Sequence, residues 1–448
     1  MRHGKHKMRP PKKHLQFSSL RKSMSEQLES IPDYRCTDNI NHSIHDVFMG
    51  GFAMMYFQEP SFLEYQKRVR EARNRDNLET MFGVKTVAME SQAREIMDTI
   101  DGNTALSPIF ENYFYQLQRG KHLEGYALFD NLYLCSIDGT QYYGSEKIHC
   151  DTCLTKEHRD GTTSYSHQAL QAAIMHPNKK QVIPLMPEEI KNTDGTVKQD
   201  CEQNAAKRLL KKIRQSHPQL GLIILGDGLY SHQPMIEEMK NKRMHFILTA
   251  KPDDHKIMME WIGEQIKLKE MKKLVVTDLK NRKHVYQFIN EVPLNGNKDS
   301  PMVNYFQYQI IDEGIEVYKN SWVTDLAVRE QNISLLVRAG RCRWKIENEC
   351  FNTLKNQGYN IEHNYGHGKK HLSFNFYLLT LLAFFFHQIF ELTDHMYQSC
   401  RNKYGRKQNM WNNLRAFVQL FVFDSWEQLL EFALDPKSFL TALSPPVN

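Results

Sequence analysis

Cysteine is scarce in this chain, with eight residues among 448. That number is too small for a disulfide scaffold of this length, and the pattern is typical of a reducing compartment. Only Cys150 and Cys153 have a spacing with chemical meaning, because Cys-x-x-Cys pairs recur in metal sites.

Long apolar segments are also missing. Charged residues and prolines near the N-terminus occupy the place where a signal peptide has its apolar region. The longest apolar run, residues 374–386, has thirteen residues, whereas a membrane span needs about twenty. We therefore expect this run to form a buried core helix, and we expect a soluble, cytoplasmic protein.

Excess charge is confined to one end of the chain. Lys and Arg total 58 against 52 Asp and Glu, and six of the cations lie without an acid in residues 1–14. The other residues therefore balance, with 52 cations against 52 acids. This pattern predicts a disordered basic arm that is attracted to polyanions and is attached to a neutral body. Within that body, the helix expected near residues 202–215 has five cations at 207–214 without an acid.

The order of apolar patterns predicts an α/β fold. The apolar pattern predicts helices over residues 15–125, and from residue 130 it predicts short apolar strands that alternate with helices. Residues 274–311 contain strands alone, which indicates a β-rich insertion. Long helices follow to the C-terminus.

Two of the predicted strands end in a carboxylate beside glycine. Asp138 lies in SIDGT and Asp227 in LGDG. Catalytic and ligand-binding groups of α/β sheets collect at strand ends, so the two acids converge if their strands are neighbours. The alternative is that each is only a turn residue, since Asp-Gly is common in turns.

A third carboxylate lies in a helical stripe that also contains cations. Arg343, Glu347, Cys350 and Lys355 share one face at helical spacing, and Trp344 is adjacent. A single Arg/Glu pair of this kind is common on surfaces. Arg, Trp and Lys around a Glu are also the groups needed to hold a metal ion, bind phosphates and stack a base.

These motifs resemble the DDE transposases of prokaryotic insertion sequences, in the branch with a β-strand insertion before the final Glu. The order Asp138, Asp227, insertion, Glu347 matches, with separations of 89 and 120 residues. Gly340 occupies the position of the tyrosine in the family's Tyr-x-x-Arg-x-x-x-Glu block, and Lys355 lies one residue beyond its lysine. Glu349 stays open as an alternative to Glu347.

The resemblance implies an RNase H-like mixed sheet flanked by helices. It implies that Asp138, Asp227 and Glu347 hold two Mg²⁺ or Mn²⁺ ions, and that a homodimer acts on double-stranded element ends and target DNA. It also divides the chain into an arm (1–14), a helical DNA-end-binding domain (15–125), a catalytic core (126–255), a β-rich insertion (256–325), the final core helices (326–392) and a C-terminal helical segment (393–448). The residues expected to contact DNA are Arg341, Arg343, Trp344, Lys355, Lys369 and Lys370. Trp344 or Trp322 is expected to stack on an unpaired base if cleavage passes through a DNA hairpin, although helix packing is the other interpretation of Trp344.

Two histidine-containing segments raise the question of a second metal. Cys150, Cys153, His158 and His167 have the ligand types of a structural zinc site, and the alternative is a pair of reduced thiols in a loop. His363, His367 and His371 recur every four residues, but Gly366 and Gly368 favour a turn there. We expect that turn to be a cationic loop near DNA rather than a metal site.

Three functions are compatible with the sequence. The first is a transposase that cleaves element ends and joins them to target DNA. The second is a metal-dependent nuclease of the same fold that does not join DNA. The third is a nucleic-acid-binding regulator with inactive acids.

Overall fold

The computed structural model describes residues 11–35, 40–69, 76–192 and 200–437. Most of the predicted basic arm lies outside these residues. The prediction of disorder is wrong for the last part of the arm. Lys13–Leu15 forms a helical turn, and Lys12 Nζ donates to Gly120 O at 2.9 Å.

One sheet of twelve strands forms the centre of the described residues. The strands are β1 (Ala127–Leu128), β2 (Leu132–Ser145), β3 (Leu154–Glu157), β4 (Thr163–Met175), β5 (Ile183–Pro184), β6 (Glu188–Ile190), β7 (Leu222–Gly226), β8 (His245–Thr249), β9 (Lys272–Thr277), β10 (Lys283–Pro293), β11 (Met302–Asp312) and β12 (Ile315–Thr324).

The first part of the sheet has the arrangement expected of an RNase H-like core. The order is β3-β4-β2-β7-β8, with β4 antiparallel to β2 and both β7 and β8 parallel to it. Strand β7 lies between β2 and β8 and is buried along its whole length. The predicted α/β, RNase H-like fold class is confirmed.

Strand β2 is longer than the sequence predicted. The apolar run was expected to stop at Asp138-Gly139, but the strand continues to Ser145. The reason is the partner strand, since β4 pairs with β2 as far as Ser145↔Tyr165. The interpretation of Asp138 as a turn residue is therefore wrong.

The β-rich segment is a continuation of the central sheet. Strand β12 is antiparallel to β8, and β11, β10 and β9 follow outward as a meander. Trp322 on β12 is buried and stacks on Phe306 of β11, with ring centroids 5.2 Å apart. The insertion therefore shares the sheet and its core.

Helices cover the sheet and form the rest of the core. They are α1 (Phe17–Glu29), α2 (Ile44–Tyr56), α3 (Phe62–Val69), α4 (Glu90–Asp98), α5 (Gly102–Arg119), α6 (Glu202–Ser216), α7 (Gln233–Asn241), α8 (Lys256–Lys267), α9 (Ile333–Arg341), α10 (Asn352–Asn356), α11 (Leu372–Thr393), α12 (His395–Tyr404), α13 (Lys407–Leu420) and α14 (Trp426–Leu434). Shorter 3-10 and π-helical turns lie between them.

Helix α11 is the centre around which the other helices pack. The ring of Phe386 lies 5.1 Å from Phe52 of α2 and 5.0 Å from Tyr113 of α5. On the other side, Tyr377 donates to Gln171 Oε1 of β4 at 3.0 Å. The N-terminal helices therefore share one core with the C-terminal part of the chain.

Helix α11 is also the apolar run noted in the sequence. Among the described residues, α11 is the one helix whose length and apolar composition would allow it to cross a membrane. However, 89% of its most apolar stretch is buried inside the protein. The expected core helix is confirmed. Since other helices contact it on several sides, its apolar character is explained by burial.

The start of α11 depends on a carboxylate from α4. Asp98 accepts four backbone N–H groups, those of Lys369, Lys370, His371 and Leu372, at 2.8–3.0 Å. Although burial opposes it, these hydrogen bonds hold the pKa of Asp98 below its ordinary value. The contact satisfies the free N–H groups of the helix end and attaches the preceding loop to the N-terminal helices.

We expect Asp98→Ala to lower the free energy of unfolding by about 1 to 3 kcal/mol, because four N–H groups lose a charged acceptor. Thermal unfolding of the full chain measures this loss. Glu95→Ala, on the exposed side of the same helix, is the matched control and should change stability little. Equal stability of the two variants would contradict the structural role of Asp98.

Candidate active site

Asp138 and Asp227 lie beside each other on neighbouring parallel strands, Asp138 within β2 and Asp227 directly after the last residue of β7. Ser136 of β2 pairs with Leu225 of β7, and each Asp lies two residues further along its own strand direction. Asp227 Oδ1 accepts the N–H of Leu229 at 2.9 Å, which caps the turn after β7. The sheet therefore brings together two carboxylates that the sequence placed only at strand ends.

Glu347 reaches the same place from the helical segment after the insertion. Helix α9 continues through a 3-10 turn, Cys342–Trp344, into a π-helical turn, Ile346–Phe351. Arg343 Nη1 lies 2.9 Å from Glu347 Oε1 and 3.5 Å from Asp138 Oδ2. One buried guanidinium thus contacts acids from two distant parts of the chain.

The alternative acid lies elsewhere. Glu349 borders a separate cavity together with Glu391 and Lys407. The geometry therefore places Glu347, and not Glu349, beside Asp138.

Like charge is concentrated around Asp138. The pKa of Asp138 is raised to about 7; burial is the largest cause, Arg343 opposes the shift, and Glu347, Glu202 and Asp227 contribute to it. A buried carboxylate with several acidic neighbours is costly to ionise. Such perturbed groups are common at functional sites.

Glu202 is a member of this cluster that the sequence interpretation missed. It lies in the first turn of α6, and its Oε2 accepts the hydroxyl of Tyr230 at 3.2 Å. Any side chain at Gly139 would collide with Glu202, so the carboxylate lies directly against β2 next to Asp138. Burial raises its pKa, with Asp227 contributing in the same direction. An acid in the first turn of a helix is common for helix-dipole reasons, so its position gave no signal.

The donor set fits divalent cations that prefer oxygen. Four carboxylates, those of Asp138, Glu202, Asp227 and Glu347, influence one another electrostatically. Among the described residues, Arg343 is the cation in direct contact with two of them. Carboxylate oxygens in this number suit Mg²⁺ or Mn²⁺.

The aromatic residues proposed for base stacking differ in exposure. Trp344 is 49% exposed, and the Arg343 guanidinium lies over its ring at 4.5 Å. The helix-packing interpretation of Trp344 is therefore wrong. Trp322 is 1% exposed, and a Cβ at Gly340 would lie 2.8 Å from its ring. Trp322 is thus a core residue, and its ring occupies the space that a larger side chain at position 340 would need.

The predicted DNA-contacting cations differ in their surroundings. The Arg341 guanidinium lies 4.8 Å from the ring of Tyr318 in the insertion. Lys355 pairs with Glu362 at 2.6 Å. Lys369 and Lys370 are exposed in the loop before α11.

Three of the five cations of α6 are engaged in contacts within the protein. Arg208 pairs with Glu188 and Asp200, and Lys212 also pairs with Glu188. Arg214 donates to five backbone carbonyls around the ends of neighbouring elements. Much of this charge therefore stabilises the fold.

The structure changes the composition of the predicted Cys/His cluster. Cys150, Cys153 and His167 come together, but His158 lies apart with its Nε2 2.8 Å from Ser164 Oγ. The fourth member is His367, from the segment that was expected to be a cationic loop. Sequence spacing could not find it, because 200 residues separate it from His167.

Comparison with known families agrees with this geometry. The family described as Transposase DDE domain matches residues 171–385, just under half of the chain. The match includes Asp227 and Glu347 and begins after Asp138. No curated protein matches the chain.

We expect Asp138→Asn to stabilise the protein at pH 8 in the presence of a chelator. Because the folded-state pKa is raised from 3.8 to about 7, the folded chain binds the proton more tightly, and ionisation costs stability as the pH rises through this range. The gain at pH 8 should be roughly 2 to 4 kcal/mol and should vanish near pH 4.

Denaturant unfolding at the two pH values measures this gain. Asp253→Asn removes an exposed carboxylate and is the control, with little expected change. A loss of stability in Asp138→Asn at pH 8 would contradict the crowding of charge at this position.

Proposed function

We propose that this chain, which belongs to the transposase DDE domain family, is a DNA transposase that cleaves the ends of an insertion sequence and joins them to target DNA. The family supports a polynucleotidyl transferase in general. The finer proposal concerns metal dependence, strand transfer and the residues that perform them.

The observation that carries the proposal is the meeting of three acids at one end of the sheet. Asp138 and Asp227 follow paired positions on β2 and β7, and Arg343 connects Asp138 to Glu347. These acids come from separate segments, so the convergence is a property of the fold and not of one local motif. Their chain order is that of the family resemblance.

Asp138, Asp227 and Glu347 would hold two Mg²⁺ or Mn²⁺ ions, and Glu202 is near enough in the cluster to assist. When bound in this way, such ions would activate a water molecule or a DNA 3′-hydroxyl as the nucleophile. They would also stabilise the leaving oxygen in an in-line displacement at phosphorus.

The protein's own groups prepare the site for this chemistry. Arg343 neutralises part of the acid charge and holds Asp138 and Glu347 in a common orientation through one nitrogen. Its backbone is also fixed, because Ser136 Oγ donates to Arg343 O at 3.4 Å. Arg343 is therefore available both to orient the acids and to contact a phosphate.

A path for DNA past Glu347 is supported by exposed groups on the same segment. Trp344 offers a half-exposed ring on which a base could stack. Arg341, beside the insertion, and Lys355, Lys369 and Lys370 complete the set of proposed phosphate contacts. Lys355 must exchange its pairing with Glu362 for a phosphate.

The substrate follows from this proposal. Double-stranded DNA would be bound at element ends and at the target, with two copies of the chain in the synaptic complex. The place of action would be the cytoplasm of a prokaryote, at the nucleoid.

We expect Asp138→Ala, Asp227→Ala and Glu347→Ala each to abolish DNA cleavage while DNA binding survives. The reason is that each removes an oxygen donor from a shared cation site. The assay uses Mg²⁺ and linear DNA that carries the gene's own flanking ends, with binding measured separately by gel shift. Glu349→Ala is the matched control, two residues from Glu347 but facing another cavity, and should cleave normally.

The same assay separates the alternatives. Joined products with a second DNA support the transposase, whereas cleavage without joining would favour a nuclease. Binding without cleavage by the parent at any end would favour an inactive regulator. Normal cleavage by Glu347→Ala together with loss in Glu349→Ala would move the third acid to Glu349.

A further inference from the structure

Four side chains outside the acid cluster converge on one point. They are Cys150 and Cys153 from the segment between β2 and β3, His167 from β4, and His367 from the loop before α11, and their ligand atoms all lie within 4.8 Å of one another. Cys153, His167 and His367 are nearly inaccessible to solvent. We propose that they bind one structural Zn²⁺ ion.

Five of the six distances between the ligand atoms are close to those of a tetrahedral site, and the sixth, between Cys150 and His367, is within 4.8 Å. The two sulfurs are 3.8 Å apart, and Cys150 Sγ lies 3.6 Å from His167 Nε2. Cys153 Sγ lies 3.4 Å from His167 Nε2 and 3.3 Å from His367 Nε2, and the two nitrogens are 3.2 Å apart. Ideal Zn–S and Zn–N bonds in a tetrahedron give about 3.8 Å between sulfurs, 3.5 Å for mixed pairs and 3.3 Å between nitrogens.

A disulfide does not explain the arrangement. A sulfur–sulfur bond is about 2.0 Å long, and the two sulfurs are 3.8 Å apart. A hydrogen bond between the two imidazole nitrogens, 3.2 Å apart, accounts for that one contact but leaves the two sulfurs beside them unexplained. Zinc accounts for all four groups together.

Surrounding groups orient the two histidines for this role. His367 Nδ1 lies 2.7 Å from Gly368 O, so it donates to that carbonyl and leaves Nε2 for a metal. His167 Nδ1 is buried without a hydrogen bond and faces Glu189 Oε1 at 4.0 Å, a carboxylate that also accepts the hydroxyl of Tyr142. A carbonyl or carboxylate behind each ligating histidine is the usual support for zinc.

The loop that carries His367 is shaped to bring it inward. Gly366 has φ +153° and Gly368 has φ +71°, both in the region that disfavours side chains. Arg94 Nε donates to Tyr365 O at 2.9 Å, and Asp98 holds the following residues. The glycines that argued against metal binding on a helix thus allow it in a loop.

The ligand set points to zinc in a structural role. Two thiolates and two imidazoles in a tetrahedron suit Zn²⁺ rather than Mg²⁺. Four protein ligands leave no open position for a substrate. The ion would fasten the connection between β2 and β3, together with β4, to the loop between the Glu347 segment and α11.

The test begins with the metal content of the full-length protein, purified without added zinc and measured by mass spectrometry. We expect about one zinc ion per chain. Cys153→Ser and His367→Asn should lose most of it, whereas His158→Asn, the matched control from the same region, should keep it. Metal removal by a strong chelator should also lower the thermal unfolding temperature of the parent but not further lower that of His367→Asn.

Cobalt gives a second measurement if the variants are insoluble. Co²⁺ bound to the parent should show the absorption of a tetrahedral site with thiolate ligands. A parent without zinc that also gives no such spectrum would overturn the proposal. So would loss of zinc in His158→Asn with retention in His367→Asn. Neither readout depends on DNA cleavage, so failure here leaves the acid site untouched.

Discussion

The rest of the site depends on one electrostatic constraint, the crowding of carboxylates beside the paired parallel strands β2 and β7. Asp138, Glu202, Asp227 and Glu347 are all partly buried, and Arg343 offsets only part of their charge. The fold therefore keeps an arrangement that is unfavourable by itself. Such an arrangement is useful to a protein that binds divalent cations, because the ions complete the charge balance.

The scaffold that enforces this crowding is the packing of α11 between the N-terminal helices and the sheet. Tyr377 of α11 contacts Gln171, which is the residue paired with Asp138 across β2 and β4. Before the segment that carries Glu347, Arg341 contacts Tyr318 of the insertion, and after it Tyr359 contacts His387 of α11. Domains that the sequence separates by composition therefore act as one support for the acids.

Sequence reasoning predicted the features that depend on local pattern and chain order. The fold class, the core helix and the convergence of Asp138 with Asp227 follow from apolar periodicity and from residues at strand ends. It failed where distant segments decide the outcome. Glu202 resembles any acid in a first helical turn, and His367 joins residues about 200 positions away. The burial of Trp322 depends in the same way on a neighbour, Gly340, that no local pattern connects to it.

The central claim is that three distant segments form one divalent-cation site. Its most direct test replaces Mg²⁺ with Fe²⁺ and adds ascorbate and peroxide, so that radicals cut the backbone near the bound ion. The account predicts cuts near Asp138, Asp227 and Glu347 in the same sample, all suppressed by excess Mg²⁺. Cutting near only one of these residues, or cutting that Mg²⁺ does not suppress, would contradict it.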